Sequence, residues 1–177
     1  GTGVGGGIII NGKIYGGFNF AGAELGHIVI DIDGELCTCG RHGCWEAYAS
    51  ATALIRQSRQ AMVAHPDSAM WRIAGTLDNV DGRTAFDAMR TGDAVGREVV
   101  DRYIQYIACG LINVINIFQP EVLCIGGGIC KEGDTLLKPL EAHIAKERYS
   151  KFSTHQTRLC VATLGNDAGI IGAASLR

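Results

Sequence analysis

The sequence has little proline, no excess of one charge and no apolar run of membrane-spanning length. Three of the 177 residues are proline, so the chain is not a Pro/Gly-rich disordered segment despite its many glycines. The net charge is −2 and basic runs are absent, whereas nucleic-acid binding depends on clustered Lys and Arg. The longest apolar stretches fall well short of the roughly 20 residues that a membrane helix needs. We therefore expect neither nucleic acid nor a membrane as a partner.

The sequence also lacks an initiator Met and a secretory signal, since it begins Gly1-Thr2-Gly3. We interpret this end as a cut within a longer protein. The seven cysteines are accordingly expected in a reducing compartment, the cytoplasm, where a metal site is favoured over disulfides. Four of them are scattered along the chain and are expected to be inert core thiols: Cys109, Cys124, Cys130 and Cys160.

Hydrophobic patterning and turn residues predict an α/β protein. Apolar residues flank Asn11-Gly12, the favoured two-residue turn, and predict a hairpin within residues 5–16. Apolar positions at i, i+4 spacing predict a long buried helix over 93–118, which Pro120 ends. The remaining predictions are strands over 28–32, 121–125 and 159–164, helices over 45–64, 135–148 and 167–176, and short helical pieces within 66–92, with Asp81 and Asp93 as N-caps. This alternation favours a partly parallel sheet, and we expect residues 1–177 to form a single domain.

Two glycine-rich segments are candidates for nucleotide binding. Backbone amides of residues 1–7, together with the Thr2 hydroxyl, can converge on phosphate oxygens, although the segment matches neither the Walker A nor the dinucleotide pattern. Gly126-Gly127-Gly128 follows a predicted buried strand, where α/β sheets bind ligands, and three glycines there let backbone approach a planar ring or a ribose. Each segment is also explained by a turn that binds nothing.

A histidine and three cysteines have the spacing of a metal site. Three thiols and one imidazole suit tetrahedral zinc, and His27 with Cys37, Cys39 and Cys44 supplies them. His42 competes for the fourth position because it lies inside the cysteine loop, and spacing alone does not decide between the two histidines. Free thiols, a disulfide or a redox pair are the alternatives.

Two acidic residues lie close in sequence to these candidate ligands. Glu24 precedes His27 by three residues, and Glu46 follows Cys44 by two, near the start of a helix. Carboxylates accept two hydrogen bonds at once from vicinal hydroxyls, which is a common way to hold a sugar. The alternatives are compensation of the helix dipole for Glu46 and a solvated loop residue for Glu24.

In this order, the motifs resemble the ROK family of bacterial repressors, open reading frames and sugar kinases. The resemblance rests on four stretches of the sequence: GTGVGGG at 1–7, AGAELGH at 21–27, CTCGRHGCWE at 37–46 and IGGG at 125–128. The run GCWEAYASAT at 43–52 is similar to the family's glucokinases in particular, and the likeness extends to GNDAGIIGA at 165–173.

The resemblance implies an actin-like ATPase (ribonuclease H-like) fold of two lobes, of which this chain is the C-terminal one, with a zinc knuckle. It implies that Glu24, His27 and Glu46 contact the sugar, and that His27, not His42, completes a structural zinc site with the three cysteines. The residues implied to bind ATP are Thr2, Gly3, Gly5 and Gly6 at the phosphates and Gly126, Gly127 and Gly128 at the adenine and ribose.

One departure from the family pattern bears on activity. The family's kinases carry an Asp-Gly-Gly-Thr phosphate loop and a catalytic Asp in an N-terminal lobe, and neither occurs in this sequence; we read Asn166-Asp167 as structural. The implied function is phosphorylation of a hexose, glucose first, by Mg-ATP in the intact protein, with residues 1–177 alone inactive. The alternatives are a kinase of N-acetylmannosamine or another hexose, a sugar-sensing repressor, and a zinc-stabilised binding module. Dimers or tetramers are the family's usual assemblies.

Overall fold

The computed structural model describes residues 2–165 and 167–175. Gly1, Asn166 and residues 176–177 lie outside this part of the chain. They include the first residue of the glycine-rich segment, the Asn of Asn166-Asp167 and the end of the last predicted helix. The chain divides into two compact units, residues 1–112 and 113–177. Among the described residues, no helix is both long and apolar enough to cross a membrane.

Two short strands and then five helices occupy residues 9–118, and from there on strands and helices alternate, as the patterning predicts. The helices are α1 (Glu46–Ala49), α2 (Ala51–Ala64), α3 (Ala69–Ala74), α4 (Thr84–Arg90), α5 (Ala94–Phe118), α6 (Asp134–Glu147) and α7 (Asp167–Ala174). The strands are β1 (Ile9–Ile10), β2 (Lys13–Ile14), β3 (Val122–Ile125) and β4 (Arg158–Val161). Three 3-10 turns cover Leu25–His27, Leu77–Asn79 and Gly128–Glu132.

The first unit opens with the predicted hairpin. Strands β1 and β2 pair antiparallel, with Ile10 opposite Lys13. Asn11 and Gly12 both have positive φ, 52° and 73°, which is the conformation of a type I′ turn. Residues 28–32 do not form the predicted strand. They make one antiparallel bridge, from Val29 to Cys44, because the single Gly43 carbonyl accepts the N–H groups of both Ile30 and Asp31 and the ladder ends there.

Capping side chains set the helix boundaries of the first unit. The helix predicted over 45–64 is broken at Ser50, whose backbone is extended and whose hydroxyl oxygen accepts the Ala53 N–H at the start of α2. Asp93 is confirmed as a cap, since its Oδ1 accepts the Gly96 N–H at 2.7 Å. Its Oδ2 accepts the Ala69 N–H at the start of α3. Burial alone would raise the pKa of Asp93, but these N–H donors outweigh it and lower the pKa below its ordinary value.

Helix α5 supplies much of the buried core of the first unit. Tyr103 and Ile104 on α5 are fully buried, as are Phe86 on α4 and Leu54 on α2. Trp45 lies just before α1, and its indole N–H donates to the Tyr106 carbonyl on α5 at 2.7 Å. The α1 region, which follows the cysteine loop directly, is therefore fixed to the longest helix of the unit.

In the second unit, β3 and β4 pair in parallel, with Val122 opposite Arg158 and Ile125 opposite Val161. This confirms the predicted parallel pairing. The buried side chains of this second unit come mainly from α6 and the end of α5, and include Leu136, Leu140, Ile144 and Ile115.

Two predictions about burial are wrong. Strand β3 is not buried throughout: Leu123 is buried, but Val122 and Cys124 are exposed. The four scattered cysteines are not core residues either, since Cys124 is exposed and Cys109, Cys130 and Cys160 are half-buried. Successive side chains of a strand point to opposite faces of the sheet. The face of β3 that carries Leu123 is covered, whereas Val122 and Cys124 lie on the other face and are exposed.

Candidate metal centre and the adjoining glycine-rich segment

The 3-10 turn Leu25–His27 and the loop that ends at Cys44 bring the four predicted metal ligands together. One ligand atom from each of His27, Cys37, Cys39 and Cys44 lies within 4.8 Å of all the others. Cys37 and Cys44 are buried, whereas Cys39 is exposed. Within the described residues, no other group of His, Cys, Asp and Glu side chains meets in this way.

Two of the distances between these ligand atoms are close to the edges of a tetrahedral zinc site. The sulfurs of Cys39 and Cys44 are 3.6 Å apart, and the Cys37 sulfur is 3.6 Å from the His27 Nδ1. A tetrahedron with Zn–S bonds of about 2.3 Å and a Zn–N bond of about 2.0 Å has edges of about 3.8 Å and 3.5 Å. The donor set and these two distances therefore fit the predicted ion, and Nδ1 is the His27 ring nitrogen beside the Cys37 sulfur.

The thiols of the cluster differ in their tendency to ionise without a metal. Burial, followed by the neighbouring Cys39 thiol, raises the pKa of Cys44 to about 12. The backbone N–H of Arg41 lowers the pKa of Cys39 from its ordinary value. Zinc binding at this cluster would displace the Cys44 proton, because cysteine coordinates a metal as the thiolate.

His42 points to another partner. Its Nδ1 lies 2.9 Å from the Gly34 carbonyl oxygen, and the residue is exposed. The geometry therefore favours His27 as the fourth ligand, as the family resemblance implies.

A set of polar contacts that the sequence reasoning missed holds the cysteine loop against α1 and α2. The Tyr48 hydroxyl accepts the Glu35 N–H at 2.7 Å and donates to the Asp31 carboxylate at 3.2 Å. Arg56 on α2 pairs with the Glu35 carboxylate at 3.0 Å and also donates to the Ala47 carbonyl. These partners lie 9 to 21 residues apart in the sequence, so no local sequence pattern predicts the contacts.

The glycine-rich segment lies beside the metal cluster, and Glu46 connects the two. Val4 N–H donates to the Glu46 Oε2 at 2.8 Å, while the Glu46 Oε1 lies 4.0 Å from the Cys37 sulfur. The Thr52 hydroxyl on α2 donates to the Thr2 carbonyl at 3.0 Å. The sequence does not predict this contact, because nothing in the pattern around Thr52 indicates a partner 50 residues away.

The other predicted site residues are placed as follows. Glu24 is exposed and immediately precedes the 3-10 turn that carries His27, so two predicted sugar contacts share this turn. Gly5 and Gly6 continue the glycine-rich segment, with Gly6 packed against the Leu25 side chain. In the second unit, Gly126, Gly127 and Gly128 follow the end of β3, and Gly127 has a φ of 107°, which favours glycine.

Comparison with known proteins agrees with this description of the fold. The profile of the ROK family matches residues 1–177. The glucokinase of Thermotoga maritima is 38% identical over 99% of this chain and 55% of its own length. The crystal structure of a ROK family glucokinase from Streptomyces griseus, in complex with glucose and AMPPNP, superposes with a TM-score of 0.88 at 36% identity, over 99% of this chain and 57% of that one.

A relative with a different function matches at lower identity. The xylose repressor of Bacillus spizizenii is 27% identical over 99% of this chain and 41% of its own length. The chain spans about half the length of the glucokinases that it matches.

Proposed function

The chain belongs to the ROK family, and we propose that the intact protein transfers a phosphoryl group from Mg-ATP to a hexose, with glucose as the first candidate. The observation that carries the proposal is the position of the Glu46 carboxylate. It accepts a backbone N–H of the glycine-rich segment and lies beside the metal cluster. A hydroxyl acceptor and a candidate phosphate-binding backbone therefore meet at one side chain. The named glucokinase relatives support the same reaction.

In this proposal Glu24, His27 and Glu46 contact the sugar hydroxyls. The His27 Nδ1 faces the Cys37 sulfur, so its Nε2 is available to a hydroxyl. A metal-bound imidazole has lost the lone pair that a general base needs. His27 therefore orients the sugar and does not deprotonate it.

The zinc site has a structural role in the proposal. His27, Cys37, Cys39 and Cys44 fill all four positions of a tetrahedral ion, which leaves none for an activated water. The metal would fix the turn that carries Glu24 and the loop that precedes Glu46. It would thereby hold the proposed sugar contacts in place.

The nucleotide contacts are assigned to the two glycine-rich segments. Thr2, Gly3, Gly5 and Gly6 would hold the ATP phosphates, and residues 126–128 the adenine and ribose. The Mg²⁺ that accompanies ATP would neutralise charge on the transferred phosphoryl group. The aspartate that takes the proton of the sugar hydroxyl is assigned to a region outside residues 1–177.

Replacing Glu24 by Gln tests the sugar site with little structural cost. The Glu24 side chain is exposed and makes no hydrogen bond among the described residues, so stability and zinc content should hold. Hydrogen bonds to charged groups contribute about 1.5–3 kcal/mol, so kcat/KM for glucose in the intact enzyme should fall about 10- to 150-fold. The KM for ATP should stay nearly unchanged. Glu98→Gln, an exposed change on α5, is the matched control; equal kinetics in both variants would remove Glu24 from the site.

A sugar-sensing repressor is the second candidate function, because xylose repressors are among the relatives. In that case the intact protein would bind sugar and DNA without turning over ATP. N-acetylmannosamine or another hexose remains an alternative substrate. The kinase proposal places the protein in the cytoplasm, where thiols stay reduced, and as a homodimer or homotetramer.

A further inference from the structure

Building on the proposed function, we propose that Glu46 is a positioning residue that joins the sugar to the glycine-rich segment. One carboxylate oxygen holds the Val4 N–H, and the other is left for a sugar hydroxyl. Sugar binding would then order the segment that receives the nucleotide phosphates, so that the two substrates bind more tightly together than apart.

The first step of the argument is the bond between Glu46 and Val4. The Val4 N–H donates to the Glu46 Oε2 at 2.8 Å across 42 residues of sequence. A Cβ atom on Gly3 would collide with this same Oε2 atom, so the carboxylate lies directly against the backbone. A residue larger than glycine at position 3 would push the carboxylate away from Val4.

The other side of Val4 is held by the turn that carries a metal ligand. A Cβ atom on Gly26 would collide with the Val4 carbonyl oxygen, and Gly26 is buried within the 3-10 turn Leu25–His27. The peptide groups around Val4 therefore lie between the Glu46 carboxylate and the turn of His27. At Val4 the segment is held by a hydrogen bond to Glu46 and by close packing against Gly26.

The second oxygen of Glu46 is the one that can reach a substrate. Oε1 lies 4.0 Å from the Cys37 sulfur. This is the only hydrogen-bond contact of Oε1 among the described residues, and it is at the long limit for a hydrogen bond to sulfur. The half-buried carboxylate therefore keeps acceptor capacity at Oε1, and a sugar hydroxyl can donate to it.

The two oxygens belong to one planar group, so their contacts are linked. A hydroxyl bound to Oε1 restricts rotation of the carboxylate and keeps Oε2 on the Val4 N–H. A nucleotide that binds afterwards loses less conformational entropy in ordering the segment. This coupling is reciprocal by thermodynamic necessity, so the nucleotide must tighten sugar binding by the same factor.

The first measurement is amide hydrogen exchange of Val4 in the zinc-loaded, ¹⁵N-labelled chain. Glu46→Ala removes the acceptor and should accelerate exchange of this amide about tenfold or more. Glu46→Gln keeps an amide oxygen that can accept and should change exchange much less. Glu24→Ala, which removes a carboxylate with no hydrogen bond to the described part of the segment, should leave it unchanged. Unaltered Val4 exchange in Glu46→Ala with retained zinc would overturn the proposal.

The second measurement is the Kd of the intact protein for Mg-AMPPNP with and without saturating glucose. Glucose should lower this Kd about fivefold or more in the wild type, and Glu46→Ala should abolish the effect. In Glu24→Ala the coupling should survive once glucose is raised to saturation. Coupling that persists in Glu46→Ala would overturn the inference alone. Failure of the wild type to bind either compound would overturn the proposed function, while the Val4 exchange still tests the anchoring role of Glu46.

Discussion

Replacing a ligand of the candidate metal centre should remove one zinc ion and destabilise the unit that holds it. Cys44 is the most informative position because it is fully buried and lies 3.6 Å from the Cys39 sulfur. Cys44→Ser changes one atom and keeps the side-chain shape, so the expected loss is that of the metal rather than of packing. His27→Ala should have the same effect, whereas His42→Ala should not.

The size of the effect follows from linkage between metal binding and folding. The four candidate ligand atoms already lie within 4.8 Å of one another, so metal binding needs only a small rearrangement. At a free zinc concentration 100 times the Kd, binding stabilises the folded state by about 2.7 kcal/mol. For a chain of 150–250 residues, that corresponds to a fall in Tm of about 5–11 °C.

Metal content by mass spectrometry and thermal unfolding by circular dichroism are measured on the same samples. The wild type and His42→Ala should contain about one zinc per chain and unfold at the same temperature. Cys44→Ser and His27→Ala should contain almost none and unfold several degrees lower. Full zinc content in Cys44→Ser, or loss of zinc in His42→Ala alone, would refute the assignment of the four ligands.

Two further predictions concern the stability of the first unit and the activity of the chain. Asp93→Ala removes the carboxylate that accepts the N–H groups of Gly96 and Ala69. It should lower the free energy of unfolding by about 2 kcal/mol in urea titrations. The control Asp101→Ala, on the exposed face of α5, should leave this free energy nearly unchanged. Folding lowers the pKa of Asp93 from 3.8. Its contribution to the free energy of unfolding is therefore fully present above the ordinary pKa and is lost as pH falls through the folded-state pKa. A stability difference between wild type and Asp93→Ala that stays constant down to pH 2 would contradict the capping role. Residues 1–177 alone should show no phosphorylation of glucose with Mg-ATP, because a general base is worth about 10²–10⁴-fold; turnover near that of the intact enzyme would make Asp167 the candidate base.

The elements that the sequence predicts correctly are those with local signals. The Asn11-Gly12 turn, the cap at Asp93 and the apolar spacing of α5 each act within a few residues, and the structure has all three. The cysteine cluster is also local, since Cys37 and Cys44 lie in one short loop.

Sequence reasoning misses one local feature and two features that depend on partners distant in the chain. The break at Ser50 arises because its hydroxyl caps α2, whereas the run around it looks uniformly helical. The bond from Val4 to Glu46 spans 42 residues, and no spacing rule links a glycine-rich segment to a carboxylate that far away. The exposure of Cys124 depends on which face of β3 its neighbours cover.

Direct detection of the product tests the central claim most directly. The intact protein is incubated with glucose and Mg-ATP, and the phosphorylated sugar is identified by ³¹P NMR alongside ADP. The account predicts stoichiometric formation of ADP and glucose phosphorylated at its 6-hydroxyl, with turnover that Glu24→Gln reduces about 10- to 150-fold. Zinc-loaded, folded protein that binds glucose but forms no phosphorylated product from any hexose would contradict it and favour the sugar-sensing repressor.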